Sequence, residues 1–202
     1  RPLIAELQTL AQPGDVLLAI YPWQIGYLEA YYYYNGAPLN VVETPNDAWI
    51  NDPARMESAL DAMLKPNTRV WVPALQTLGR IIEDALDANL RARAYSVVDD
   101  WHGTTRLELF ANAERVPSVA TAQTFEGNVT LVERGVSSNP VAAGQDLVRV
   151  ILYWRQDTPS DLRASLRLVD LQGGLWSQED REAVAGEQRI GFSVPAGTPP
   201  GE

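Results

Sequence analysis

The first 111 residues alternate between two apolar rhythms. Leu3, Leu7 and Leu10 recur at helical spacing and are stopped by Pro13-Gly14. Val16 to Ile20 is then a short unbroken apolar run, the pattern of a strand covered on both faces. Tyr21-Pro22-Trp23 ends it. A second helix is predicted over Gln24 to Tyr34, closed by Asn35-Gly36, and a second strand over Leu39 to Glu43. Asp52-Pro53 is a helix start, an N-cap acid followed by proline at the first helical position. Met56, Leu60, Met63 and Leu64 continue that helix to Lys65-Pro66. Arg69 to Val72 reads as a strand, Ile82, Leu86 and Leu90 as a fourth helix, and Ala94 to Val98 and Thr105 to Ala111 as two strands joined around Asp99 to Thr104. Strand and helix in alternation predict a mostly parallel sheet clad by helices, with the last pair as an antiparallel edge hairpin.

Between Val116 and Thr124 the rhythm changes to period two. Strands are expected near Asn128 to Val132, Asp146 to Trp154, Leu162 to Asp170 and Gln188 to Val194. The third alternates Leu162, Ala164, Leu166 and Leu168 against Arg163, Ser165 and Arg167, and Ile190, Phe192 and Val194 repeat the theme. Turn signals at Pro140, Ala143-Gly144, Thr158-Pro159, Gly173-Gly174 and Pro199-Pro200-Gly201 separate the runs. These features predict an α/β module over residues 1–118, Rossmann-like in its layering, followed by an antiparallel β-sandwich over 122–202.

Composition narrows the function classes. Of 202 residues, 46% are hydrophobic and 21% charged, which suits a cored globular protein. A net charge of −10, with one lysine and dispersed arginines, is unsuited to a nucleic-acid backbone. No run approaches a membrane span, and the chain reads as soluble. Its start at Arg1 and its stop at Glu202, in a turn before a strand, read as cuts from a longer protein. With no cysteine and the single histidine His102, disulfides, thiolate chemistry and multi-histidine metal sites are excluded. Neither a dinucleotide nor a P-loop glycine pattern is present, and no Gly-x-Ser-x-Gly elbow, so no cofactor is expected.

Two groups remain as ligand-binding candidates. Tyr21 and Trp23 sit at the carboxyl end of the first strand, where open α/β sheets bind ligands, and aromatic faces stack on sugar rings. The alternative is that Trp23 packs the top of the domain. Asp99, Asp100, Trp101 and His102 form the densest polar group, with the elements of acid–base chemistry. Adjacent residues of a strand point to opposite faces, however, and Gly103 makes a structural hairpin turn a sufficient account. The four tyrosines Tyr31 to Tyr34 cannot all face a core, so part of the run is exposed to a partner or a bilayer interface, or covers the sheet edge. Asn128-Val129-Thr130 matches the glycosylation sequon.

Pro13-Gly14-Asp15-Val16, Tyr21-Pro22-Trp23-Gln24 and Gly26-Tyr27 resemble the segment that follows the last transmembrane helices of bacterial multi-spanning, lipid-linked-sugar glycosyltransferases, the dolichyl-phosphate-mannose mannosyltransferase-like group. Gly144-Gln145-Asp146 before Val150-Ile151-Leu152-Tyr153-Trp154, Leu168-Val169-Asp170 with Gly173, and Pro195-Ala196 before Pro199-Pro200-Gly201-Glu202 resemble an Ig-like sandwich attached to such proteins. The resemblance implies a location on the extracytoplasmic face of a bacterial membrane. It also implies the transmembrane part of the same protein as a partner, and a glycan or lipid-linked sugar as a ligand. In that family the catalytic carboxylate lies between transmembrane helices, so no catalytic residue carries over to this chain. The sandwich of such proteins continues beyond Pro-Pro-Gly-Glu, and stopping there would leave a sheet edge open to homo-association.

Overall fold

The structure is a computed structural model that describes residues 2–32, 39–66, 68–75, 80–138, 140–144, 146–158 and 161–198. The chain is mixed α/β, with eleven strands and five α-helices among the described residues. It divides into two compact units, Arg1–Glu114 and Arg115–Glu202.

The N-terminal unit runs α1 (Pro2–Leu10), β1 (Val16–Ala19), α2 (Pro22–Tyr31), β2 (Asn40–Glu43), α3 (Asn46–Asn51), α4 (Pro53–Met63), β3 (Arg69–Leu75), α5 (Ile81–Arg93), β4 (Tyr95–His102) and β5 (Thr105–Ala111). Its sheet has the order β2-β1-β3-β5-β4. β1 is parallel to both β2 and β3, whereas β5 is antiparallel to β3 and to β4. The last hairpin is therefore not appended as sequence order suggests. β5 slots between β3 and β4, which leaves β4 running in the same direction as the three parallel strands. All four strands consequently end on one edge of the sheet.

The core of this unit follows from the apolar runs. Val16, Leu18 and Ile20 of the β1 segment pack with Val70, Val72 and Ala74 of β3, Met56 and Leu60 of α4, and Ile82, Leu86 and Leu90 of α5. On α1 the buried positions are Ile4 and Leu7, with Leu3 and Leu10 half-buried beside them. α4 starts where Asp52-Pro53 predicts, and the Arg55 N–H donates to Asp52 Oδ1 at 3.2 Å. α2 is described only to Tyr31; the helix stop at Asn35-Gly36 and the tyrosines 33 and 34 lie outside the described residues. Of the tyrosine run, Tyr31 is exposed and Tyr32 fully buried.

β3 continues through Pro73, three residues past the expected end. A proline is tolerated because the N and C=O of one strand residue point to the same side. On that side β1 pairs only as far as Trp71, and the Gln24 side chain supplies the donor, Nε2 to Pro73 O at 2.8 Å.

The C-terminal unit contains β6 (Val119–Thr124), a 3-10 turn (Glu126–Asn128), β7 (Thr130–Val136), β8 (Leu147–Arg155), β9 (Arg163–Val169), β10 (Leu175–Glu182) and β11 (Gly186–Ser193). β11-β8-β7-β6 form an antiparallel sheet, and β9 and β10 a separate antiparallel hairpin. Leu162, Ala164 and Leu166 pack onto a core of Val129, Leu131, Val150, Leu152, Trp154, Ile190 and Phe192. The sequon residue Asn128 is exposed, at φ 60° in the 3-10 turn rather than on a strand. The turn signals Pro159 and Pro199-Pro200-Gly201, with Gln145 and Glu202 of the family-like motifs, lie outside the described residues.

Candidate ligand-binding site

β1 delivers Tyr21 to the carboxyl edge of the sheet, and Pro22 then starts α2. The turn is locked from both sides. The Tyr21 N–H donates to Gln24 Oε1 at 3.0 Å, and the Asn46 side-chain amide donates to Ile20 O. The Tyr21 hydroxyl donates to Glu83 Oε1 at 2.5 Å, reaching 62 residues along the chain to the first turn of α5. Glu83 is 2% exposed, and its second oxygen, Oε2, has no hydrogen-bond partner. A buried carboxylate is tolerable at a helix N-terminus, where the macrodipole favours negative charge.

Trp23 lies beside this anchor. Its ring stands nearly parallel to that of Tyr21, 10° between planes and 6.1 Å between centroids, and it is 54% exposed. Trp23 therefore does not pack the top of the domain. It presents an indole face to solvent, oriented through a tyrosine whose hydroxyl is fixed.

The polar run is placed differently from a hairpin turn. β4 extends through Asp99, Asp100, Trp101 and His102, and the turn itself is Gly103-Thr104. Strand alternation then separates the run. Asp99 faces α5 and β5: Arg106 donates to it twice, Nε to Oδ1 at 2.6 Å and Nη2 to Oδ2 at 2.8 Å, and Arg91 Nη2 adds a third bond at 3.0 Å. His102 Nε2 instead hydrogen-bonds Glu6 Oε2 of α1. Burial raises the Glu6 carboxyl above its ordinary range against the pull of His102, and the neighbouring Asp100 adds to the rise. Trp101 is half exposed. Asp99 and the Asp100–His102 pair thus serve two different contacts, and the three side chains do not converge.

Behind Asp99 lies a group that the sequence gives no means to find. Glu108 of β5, 1% exposed, takes Arg91 Nη2 at 2.9 Å and lies 3.4 Å from Arg106 Nη1, while Asp87 of α5 accepts from Arg91 Nε at 2.6 Å. Three carboxylates meet two guanidiniums. Burial pushes the Glu108 carboxyl up to about 8, and a hydrogen bond with Asp87 reinforces this against the two arginines. The group closes on itself, so it reads as a structural brace between helix and sheet. Among the described residues no set of three His, Asp or Glu side chains is arranged to hold a metal ion.

Because β4 and β1 share a direction and lie three strand positions apart, Trp101 and the Tyr21–Trp23 pair occupy one edge of the sheet, at the ends of strands roughly 14 Å apart. The edge offers aromatic surface at two places, with the His102–Glu6 pair beside Trp101. Glu83, Glu6, Glu108, Arg91 and Arg106 all escaped sequence reasoning, since each is tied to its partner by the fold and not by spacing. The only trace was the position of Glu83 in the first turn of a predicted helix. No family model matches the chain, and no curated protein matches it.

Proposed function

We propose that the chain is a non-catalytic accessory region of a membrane-embedded, lipid-linked-sugar glycosyltransferase, on the extracytoplasmic side, and that it contacts glycan through the carboxyl edge of its first sheet. In this reading the N-terminal unit is a Rossmann-like module used without a nucleotide, and the C-terminal unit an Ig-like sandwich. The family assignment rests on the sequence resemblance. Glycan contact is supported by one observation above the rest: the solvent-facing Trp23 indole, held parallel to Tyr21, whose hydroxyl is pinned by the buried Glu83. A pyranose stacks its C–H face on such a surface, and prior fixing of the ring reduces the entropy lost on binding.

A panel of oligosaccharides titrated against intrinsic tryptophan fluorescence tests the reading. Saturable quenching that disappears in Trp23→Ala, with no turnover of any sugar donor, is the expected result. Flat titrations across the panel, or quenching unchanged in Trp23→Ala, would refute glycan contact at this edge. A second reading, a stand-alone carbohydrate- or protein-binding module, is favoured by the fact that the aromatic pair is complete within the chain. It predicts full affinity in the isolated chain, whereas the accessory reading predicts a gain when the transmembrane part is present.

A further inference from the structure

We propose that the distal end of the β9–β10 hairpin inserts into the interface of a zwitterionic lipid bilayer. The inference concerns the C-terminal unit and stands independently of glycan binding by the N-terminal one. Four large apolar side chains crowd this end in solvent: Val169 at 53%, Leu171 at 76%, Leu175 at 57% and Trp176 at 37% exposure. Val169 and Leu175 are cross-strand partners, and Leu171 lies in the turn between the strands. Isolated exposed leucines are ordinary, but four such residues within eight positions form a patch that calls for a function.

Two features point to lipid as the surroundings. First, five N–H donors at the tip, four of the backbone and the Trp176 indole, are satisfied internally. Asp170 N–H donates to Gly174 O at 2.9 Å and Gly173 N–H to Asp170 O at 3.0 Å. The Asp170 carboxylate accepts from Gln172 N–H at 3.0 Å, Gly174 N–H at 2.7 Å and the Trp176 indole N–H at 3.0 Å. Entry into an apolar medium requires this, because an unpaired N–H there is expensive. Gly174 permits it: a Cβ at that position would lie 2.5 Å from Asp170 Oδ2. Second, the tip offers little for a polar partner to recognise. Asp170 is the sole ionisable residue from Leu168 to Gln178, and its carboxylate is already taken up by three N–H groups. Apolar side chains on both strands and in the turn suit a medium that surrounds the tip, while tryptophan is favoured at the headgroup level.

Reach and charge fit as well. β9 packs on the core through the segment ending at Leu166. Val169, the last residue of β9, lies three residues further, roughly 10 Å along the strand, with Leu171 in the turn beyond it, against an interfacial depth of about 5–10 Å. The chain carries a net charge of −10, so anionic lipid would repel it, and a neutral headgroup such as phosphatidylcholine is the matching surface.

The full chain is mixed with phosphatidylcholine vesicles and sedimented, and tryptophan quenching is measured in parallel with vesicles carrying brominated acyl chains. Leu171→Glu, a change at an exposed turn position, is expected to lower partitioning by roughly tenfold or more without altering thermal unfolding. The brominated-lipid quenching is expected to disappear in Trp176→Phe. Binding should be insensitive to salt and weakened by added phosphatidylglycerol. Absence of sedimentation at millimolar lipid, binding confined to anionic vesicles, or equal binding by Leu171→Glu would each overturn the proposal. A lipid-independent change of oligomeric state in Leu171→Glu would also overturn it, reassigning the tip to contact with a second copy.

Discussion

Replacing Glu108 with glutamine should remove a pH dependence from the N-terminal unit. The Glu108 carboxyl is held at about 8 against an ordinary value of 4.5, first by burial and then by its hydrogen bond to Asp87. The folded state therefore keeps a proton that the unfolded chain gives up. Stability from this group is complete below the unfolded value, declines as pH rises toward about 8, and is then exhausted. At about 1.4 kcal/mol for each pH unit of displacement, the full effect is on the order of 5 kcal/mol, a large share of a typical domain's stability. Glutamine retains an oxygen for Arg91 Nη2 and an N–H for Asp87 but cannot ionise. The far-UV helical signal isolates the unit concerned, because the five α-helices of the described residues all lie within it. Urea titrations on that signal should show wild-type stability falling by several kcal/mol between about pH 5 and pH 9, and a markedly flatter profile in Glu108→Gln. Parallel profiles for the two proteins would refute the placement of a proton in this group.

Further changes test other contacts. Trp71→Phe removes the 2.7 Å bond from the indole N–H to Asp15 Oδ2, while Gln12 N–H still donates to that carboxylate, so a loss of about 1–2 kcal/mol is expected in urea unfolding. Tyr21→Phe leaves both oxygens of buried Glu83 without a hydrogen bond from the tyrosine; it should destabilise the N-terminal unit by about 1–3 kcal/mol and weaken glycan quenching of Trp23, whereas Glu83→Gln keeps an acceptor and should do less. In the C-terminal unit, Gly135→Ala would set a Cβ 2.4 Å from Pro117 O, a backbone atom that cannot swing away. A loss of about 1–3 kcal/mol, read from the fluorescence of buried Trp154 during unfolding, is the expected outcome.

Elements whose covering is apolar could be read from the sequence, and those whose covering is not could not. The Val16 to Ile20 run is buried residue by residue, and Asp52-Pro53 marks a helix start through chemistry local to the chain. β6, exposed along nearly its whole length, gives no alternation because it lies at the edge of its sheet. β10 was missed for a related reason: its half-buried positions are Ser177, Glu179 and Arg181, so the inward face carries no hydrophobic signature. α3 is too short, at six residues, to establish a period. The site was half legible. Position at a strand end pointed to Tyr21 and Trp23, and adjacency on an extended backbone separated Asp99 from Asp100. Glu83 and Glu6 act 62 and 96 residues from their partners, distances over which a linear pattern carries no information.

The insertion of β5 between β3 and β4 bears on how the chain emerges from the ribosome. β1, β2 and β3 can pair as they are made, but the far side of β3, including the fully buried Trp71, stays without a neighbouring strand until Ala111 has been synthesised. Throughout that interval a nascent chain displays an unsatisfied hydrogen-bonding edge with large apolar side chains on it, a target for chaperones or for another nascent copy. Translation speed between codons 75 and 111 is therefore expected to influence the yield of folded protein more than speed over the hairpin-rich second half, where each strand of β7–β8 and β9–β10 finds its mate almost at once.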